Sequence, residues 1–508
     1  MEKEQLGTVI STMEGPSPSK MSFVVNNGKV HTGMFVELEY SEGTMVCRVE
    51  DVLKTNRYFE RPDSVKAIGP ELEKNFPAAE WEFLLAHTKP LGVFKENLIN
   101  RTTFPPSPGT KVFVAENEHI KKFLGIEEKG LNLGELQFHD VGMKVNLSRL
   151  LQKHLAILAM SGAGKSYAVS VLLEELLDRT KEQGQIAVIA FDTHGEYTCF
   201  GEPVAKANSE KYKDYSSKTK IIDGTKVRIA VSNITFAMLK NISPGLTPTQ
   251  SRALLKIISR LKSEMRSGVG PFDLSDVKGE LDALDPKLAE GVSSAIDEIE
   301  ETGLFGRIDA PSVFDLAKSG QFTVVDLSKI ITDKKRQVIV GHFAHRLFSE
   351  RRHQKVPPFS LLVEEAHNFI PEGISSEEAP ARGTLRTIAR EGRKFCASLI
   401  LISQRPKRLD TTTLANCNTN IILRITNPYD LKHIQDSCEG LDNSSAGTIS
   451  SLRVGEALII GEAVGAPTFF KVRQRKSQPS RHETTLEEAA KKFSENADKG
   501  ASEADAFL

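Results

Sequence analysis

The chain has 508 residues, 39% of them apolar and 26% charged, and a formal net charge of −1. Those proportions suit a globular chain with room for two to four domains, and they show no global excess of positive charge, although a channel would need only a local basic lining. No apolar run approaches bilayer length, the first residues lack a signal-peptide core, and five scattered cysteines (Cys47, Cys199, Cys396, Cys417, Cys438) form neither a zinc framework nor a disulfide scaffold, so no membrane and a reducing cytoplasm are expected.

Residues 1–115 read as a small β-barrel or sandwich. Val36, Leu38 and Tyr40 alternate with Glu37 and Glu39, and Met45 to Val52 is rich in β-formers. Turn chemistry sits at Asn26-Asn27-Gly28 and Ser41-Glu42-Gly43, and closing such short strands on themselves is the natural solution. Phe104-Pro-Pro-Ser-Pro-Gly109 cannot enter a sheet interior and reads as a linker or domain edge, with 116–140 as the expected linker.

From about Val141 short apolar runs alternate with helical stretches. Leu155 to Ala159 and Ile186 to Phe191 are buried strands, with an amphipathic helix from Tyr167 to Leu177 between them. Later members are Phe322 to Asp326, Phe359 to Val363, Ala397 to Ile402 and Asn420 to Ile425. Near-continuous apolar strands between helices predict a mainly parallel sheet covered on both faces, an α/β core over 141–234 and 307–476. Between 235 and 306 the strands vanish; Leu254, Leu255, Ile257, Ile258 and Leu261 keep helical spacing, as do Val292, Ile296 and Ile299, which predicts a helical insertion. The 477–508 tail is polar, with a short helix capped by Thr484 and Glu487.

Ala159-Met-Ser161-Gly162-Ala163-Gly164-Lys165-Ser166-Tyr167 lies between a buried strand and that helix. It departs from the G-x-x-x-x-G-K-[ST] phosphate loop only by alanine in place of the first glycine. The backbone of Ser161 to Tyr167 can converge N–H groups on phosphates at the helix N-terminus, Lys165 can reach the β- and γ-phosphates of ATP, and the Ser166 hydroxyl can ligate Mg²⁺. Ala159 is tolerable if its φ stays negative. Phe359-Ser-Leu-Leu-Val363-Glu364-Glu365-Ala-His367 adds two carboxylates at a strand end: Glu364 to assist Mg²⁺ through water, Glu365 to polarise the hydrolytic water. Tandem glutamates favour hydrolysis over phosphate transfer to a small acceptor.

Phe191-Asp192-Thr-His194-Gly195-Glu196-Tyr197 brings more polar groups to the sheet edge. Two readings stand for Asp192 and Glu196, contact with the Mg²⁺ shell or capping of the next turn. Gln404, in Ser403-Gln-Arg-Pro406, is placed to sense the γ-phosphate. Arg386-Thr-Ile-Ala-Arg390-Glu-Gly392-Arg393-Lys394 is a helix ending at Gly392, with Arg390 and Arg393 three apart on one face. Alone they read as a basic helix end complementing the dipole.

Together these motifs resemble the HerA family of hexameric DNA translocases, related to FtsK and the conjugative ATPases. Lys153-His154, the phosphate loop, Asp192 to Tyr197, Glu364 to His367, Arg390 to Lys394 and Ser403 to Pro406 occur in the family's order. Gly7 to Ile10 and Pro106 to Gly109 resemble the family's preceding barrel, so the likeness spans about residues 5–476. The implied fold is a RecA-like P-loop core with an N-terminal barrel. The implied activity is an ATP-driven homo-hexamer pulling double-stranded DNA through its channel, with a NurA-like nuclease or a phage-defence effector as partner. By the same resemblance Glu365 is the catalytic carboxylate, Gln404 the sensor, and Arg390, with Arg393 close behind, an arginine finger serving the neighbouring subunit. Lys153 stands where an arginine is common, keeping the charge without the bidentate geometry. Phe469 to Arg475 corresponds to the segment that braces an adjacent subunit, or else is a plain edge strand. Against this stand a P-loop switch and a small-molecule kinase.

Overall fold

The computed structural model describes residues 4–11, 15–26, 29–56, 66, 82–96, 98–375, 377–480, 486–487, 490–491 and 493–494. Asn27 and Gly28 of the first expected turn, and the Thr484 cap, lie outside them. The chain divides into two compact units, Met1–Glu175 with Ser398–Gln474 and Leu176–Ala397 with Arg475–Leu508.

In the first unit, β1 (Gln5–Ile10), β2 (Met21–Val25), β3 (Phe35–Tyr40), β4 (Gly43–Asn56), β5 (Glu82–Lys95), β6 (Leu98–Asn100) and β7 (Lys111–Val114) pair in the order β2-β1-β7-β3-β4-β5-β6. A further β2–β5 pairing closes six of them into a barrel. Its interior holds Leu6, Phe23, Val36, Leu38, Met45, Val93 and Val112, all with almost no exposure. Pro90 sits in β5 opposite Cys47, next to a register shift in β4, where a missing N–H is tolerated. The proline-rich run joins β6 to β7 inside the barrel, so it is not a domain edge.

Residues 116–140, expected as a linker, are instead structured. Helix Asn117–Leu124 buries Ile120 and Leu124, each such side chain contributing about 1.5–3 kcal/mol. Glu37, expected on a solvated face of β3, is 1% exposed. It accepts the Glu116 N–H at 3.1 Å and bonds His119 Nδ1 at 2.8 Å. Strand β8 (Leu131–Leu136) then pairs with β9 (Gly142–Val145) and enters a sheet.

That sheet continues with β10 (Leu155–Leu158), β17 (Ala397–Ser403), β18 (Thr419–Ile422), β19 (Glu456–Gly461) and β20 (Thr468–Val472), in the order β17-β10-β18-β19-β20-β8-β9. The first three run parallel and the rest antiparallel. The plain edge-strand reading of Phe469 to Arg475 is corrected here: β20 lies between β19 and β8 of its own chain, and Arg473 pairs with Glu174 and Glu175 at 2.8 and 2.7 Å.

In the second unit β11 (Ala187–Asp192), β12 (Thr219–Asp223), β15 (Phe322–Asp326) and β16 (Phe359–Val363) form a wholly parallel run, β12-β15-β11-β16. A two-strand pair, β13 (Ile229–Ala230) with β14 (Phe305–Gly306), flanks a helical segment. There Phe236–Ile242, Pro248–Glu264, Leu274–Lys278 and Pro286–Glu301 share a core of Leu254, Ile258, Val277, Val292 and Ile296. A Thr247–Gln250 capping box with proline at the first turn starts the long helix. The fold is α/β, a RecA-like P-loop core of mainly parallel strands covered by helices, with an N-terminal β-barrel and a helical insertion. No helix among the described residues is long and apolar enough to cross a membrane.

Candidate nucleotide site

The phosphate loop leaves β10, whose four residues are fully buried, and enters helix Lys165–Asp178. Ala159 is completely buried and absent from the residues with positive φ, so its methyl group costs no backbone strain. Gly162 and Gly164 take φ of 75° and 93°, the left-handed region that glycine enters without penalty. A Cβ on Gly162 would meet nothing within 4 Å, so the curled backbone faces open space. The ammonium-bearing Lys165 is 6% exposed. The loop base is clamped on both sides: Ala159 N–H donates to Ser403 O at 3.3 Å and Met160 N–H to Arg424 O at 3.0 Å. Parallel pairing of Leu158 with Ser403 brings Gln404 out at the end of the sheet where the loop begins.

Arg424 was missed by the sequence reading. Its signal is a charged side chain in the otherwise apolar run Ile421-Ile-Leu-Arg424-Ile, at a strand end. Its Nε is buried with no hydrogen-bond partner among the described residues. Lys153 stands before β10, at the end opposite the phosphate loop, with Nζ 2.5 Å from Glu462. It therefore does not join its own chain's loop.

The carboxylates belong to the second unit. β11 and β16 run parallel with Phe191 opposite Val363, so Asp192 and Glu364 leave at the same edge. Both have no exposure. Asp192 Oδ1 accepts the N–H groups of His194, Gly195 and Glu196 at 3.2, 2.8 and 3.1 Å, and Oδ2 that of Tyr197 at 2.8 Å. These bonds give the capping reading of Asp192 its geometry. Glu364 Oε2 accepts from Thr193 N–H at 3.0 Å, its hydroxyl at 3.2 Å and His194 N–H at 3.3 Å. Burial pushes the Asp192 carboxyl up, against the pull of Glu364 and the turn's N–H groups. Burial, then the charge of Glu364, also drives the Tyr197 phenol well above its ordinary value.

Glu365 adopts φ 47°, ψ 48°, left-handed for a non-glycine residue, at the start of helix Ala366–Phe369. Such strain costs on the order of 1–3 kcal/mol and collects at functional sites. Its carboxylate is 3.3 Å from His367 Nδ1. His367 was only part of a motif in the sequence reading; here its ring stands beside that carboxylate. Helix Pro380–Glu391 buries Leu385 and Ile388 and leaves Arg390 exposed. Arg393 is not on that helix as expected. The helix ends at Gly392, where a Cβ would meet Ala397 O at 2.2 Å, and Arg393 lies in the following 3₁₀ turn.

A family profile described as "Helicase HerA, central domain" matches residues 131–347. The chain is 30% identical to a probable DNA double-strand break repair helicase HerA of Methanocaldococcus jannaschii, over 78% of this chain and 86% of that one. It is 27% identical to the DNA double-strand break repair helicase HerA of Sulfolobus acidocaldarius, over 92% and 93%. Among solved structures, VirB4 of Thermoanaerobacter pseudethanolicus superposes with a TM-score of 0.50 at 17% identity, covering 68% of this chain and 97% of that one.

Proposed function

Because this chain belongs to the HerA helicase family and is an ATP-hydrolysing enzyme of helicase type, we propose that it is an ATP- and Mg²⁺-dependent translocase on double-stranded DNA. In this reading it works as a homo-hexamer in the cytoplasm, with a partner nuclease in DNA end processing. The observation that carries the reading is the phosphate loop: two left-handed glycines, open space before Gly162, and a buried lysine at the first helical position. A concave run of N–H groups with an ammonium suits a polyphosphate, and the hydroxyl oxygen beside them suits a hard, oxygen-seeking cation. Backbone N–H groups from Ser161 to Tyr167 and the Lys165 ammonium hold the phosphates. Ser166 and Glu364 would hold Mg²⁺, which would supply charge neutralisation at the phosphate oxygens. Glu365, steadied by His367, takes the proton of the attacking water, and Gln404 reports the γ-phosphate. Arg390 acts on a neighbouring subunit's nucleotide.

The test is ATP hydrolysis with and without linear duplex DNA, alongside electron-microscope class averages. Hydrolysis stimulated by duplex and six-fold rings are expected. Hydrolysis indifferent to any nucleic acid, from a particle that stays monomeric, would end the translocase reading. A nuclease co-purifying on the ring supports end processing, and a different effector in its place moves the chain to phage defence.

A further inference from the structure

Within the second unit a cavity of about 460 Å³ opens between the helical insertion and helices Asp333–Arg352 and Pro380–Glu391. The two core helices touch where Gly341 meets Ala381; a Cβ there would lie 3.1 Å from the Ala381 Cα. The cavity sits beside that contact, and its lining carries two cations, Lys262 and Arg346, and two imidazoles, His342 and His345.

The Arg346 guanidinium makes no hydrogen bond among the described residues. Its Nε is buried and lies 3.7 Å from Asp309 Oδ2, and its Nη1 is 3.6 Å from Glu350 Oε1. Asp309 is already committed elsewhere. It accepts the Ala230 N–H at 2.8 Å and the Asn233 amide at 3.1 and 3.2 Å, and lies 3.2 Å from His342 Nε2. Lys262 is held in place by a 2.8 Å bond to Ser232 O, and burial, then the charges of Arg266 and Arg346, depress its pKa. Burial, then His342 and Arg346, likewise hold the His345 imidazole below its ordinary value. Two cations, Lys262 and Arg346, thus line a half-desolvated space, and the carboxylates that face Arg346, Asp309 and Glu350, stand beyond hydrogen-bond distance of it. The first turn of helix Pro380–Glu391, at Pro380, Gly383 and Thr384, adds the positive end of a twelve-residue dipole.

We propose that this cavity is a second anion site, taking a small phosphate-bearing ligand on the fork of Arg346, with Lys262 and His345 completing the shell. It is separate from the phosphate loop and uses none of its residues. The volume suits one pyrophosphate or mononucleotide head rather than a polymer.

The test uses the full chain carrying Lys165→Ala, which removes the phosphate-loop ammonium, titrated calorimetrically with inorganic pyrophosphate. Saturable binding to one site per chain is expected. Adding Arg346→Gln weakens it by on the order of tenfold or more. So does adding Gly383→Glu, which leaves the Arg346 ion pairs untouched and projects a carboxylate from a position whose Cβ meets nothing within 4 Å. If Arg346→Gln fails to fold, Gly383→Glu alone decides. Absence of pyrophosphate binding in the parent, or unchanged affinity in the added variants, overturns the proposal. A short DNA duplex that loses affinity on Arg346→Gln while pyrophosphate never binds overturns it too, because the arginine then serves a polymer.

Discussion

Glu364 Oε2 accepts the backbone N–H of Thr193 at 3.0 Å, tying the end of β16 to the loop that leaves β11. Asp192 takes the next four N–H groups of the same loop, so two buried carboxylates share one curl of backbone. Burial is the largest influence on Asp192 and raises its pKa, so the folded state binds that proton more readily than the unfolded chain. Its contribution to stability is therefore fully present below the ordinary carboxylate value of 3.8 and is lost as pH rises through the folded value. Asp192→Asn removes that dependence. Urea midpoints measured from about pH 4 to about pH 7 fall in the parent and flatten in the variant. An unchanged slope places the titration on another group.

The proposed catalytic carboxylate, Glu365, also carries backbone strain, and the two can be separated. Glu365→Gln keeps shape and abolishes the base; kcat is expected to fall by on the order of 10²- to 10⁴-fold with nucleotide affinity retained. Glu365→Gly relieves a φ of 47° and is expected to raise unfolding free energy by about 1 kcal/mol while leaving the enzyme equally inactive. Denaturant midpoints and steady-state ATPase rates check both. A glycine variant that is less stable than the parent means that the Glu365–His367 contact outweighs the backbone strain.

Strong local signals were legible in the sequence: the phosphate loop from its glycine spacing, the buried strands from their apolar runs, the insertion from its helical period. What escaped depended on tertiary placement. Glu37 reads as a solvated alternating position, and only the helix at 117–124 covering it makes it a buried acceptor. For the same reason 116–140 read as a linker: its helix is short, and Leu131 and Leu133 gain their strand only from partners β9 and β20. The capping role of Asp192 was not legible because it rests on hydrogen bonds to N–H groups that every residue carries. Arg393 was put on a helix because nothing local shows that Gly392 is pressed against Ala397 O.

Arg48 shows how a buried charge holds the first unit together. It is 2% exposed, pairs with Asp442, and donates from Nη1 to Ser445 Oγ and Pro467 O, both at 3.0 Å. Removing one partner of such a pair leaves a buried charge uncompensated, so Arg48→Met is expected to cost about 3–5 kcal/mol. Asp442 is depressed: burial would raise it, but the Arg48 charge and the Ser445 bonds outweigh that. Its stabilisation is present above the ordinary value of 3.8 and lost as pH falls through the folded one. Arg48→Met with Asp442→Asn, which removes the charge but keeps the cap on the Ser445 N–H, should recover much of the loss. Denaturant melts of the single and double variants measure the coupling, and strictly additive losses would show that the two residues act independently.

Arg390 and Arg393 are exposed, and neither side chain makes a hydrogen bond or ion pair among the described residues. Replacing either by alanine should therefore shift stability by no more than about 0.5 kcal/mol. Any large loss of hydrolysis must then come from chemistry rather than folding. Arg390 projects from a helix anchored by Leu385 and Ile388, whereas Arg393 sits on a turn leading to Cys396 in the left-handed region. The better-anchored guanidinium suits a group that must meet a transferring phosphate at fixed distance, so Arg390→Ala is expected to lower kcat by on the order of 10³-fold and Arg393→Ala by less. A finger acting in trans predicts complementation. When Arg390→Ala and Lys165→Ala chains are mixed in equal amounts, about a quarter of the interfaces in a randomly assembled ring combine an intact phosphate loop with an intact arginine. The mixture should then hydrolyse ATP where each pure variant does not. A mixture as inactive as its components places the arginine in the same chain's site, and an active pure Arg390→Ala protein removes it from the reaction.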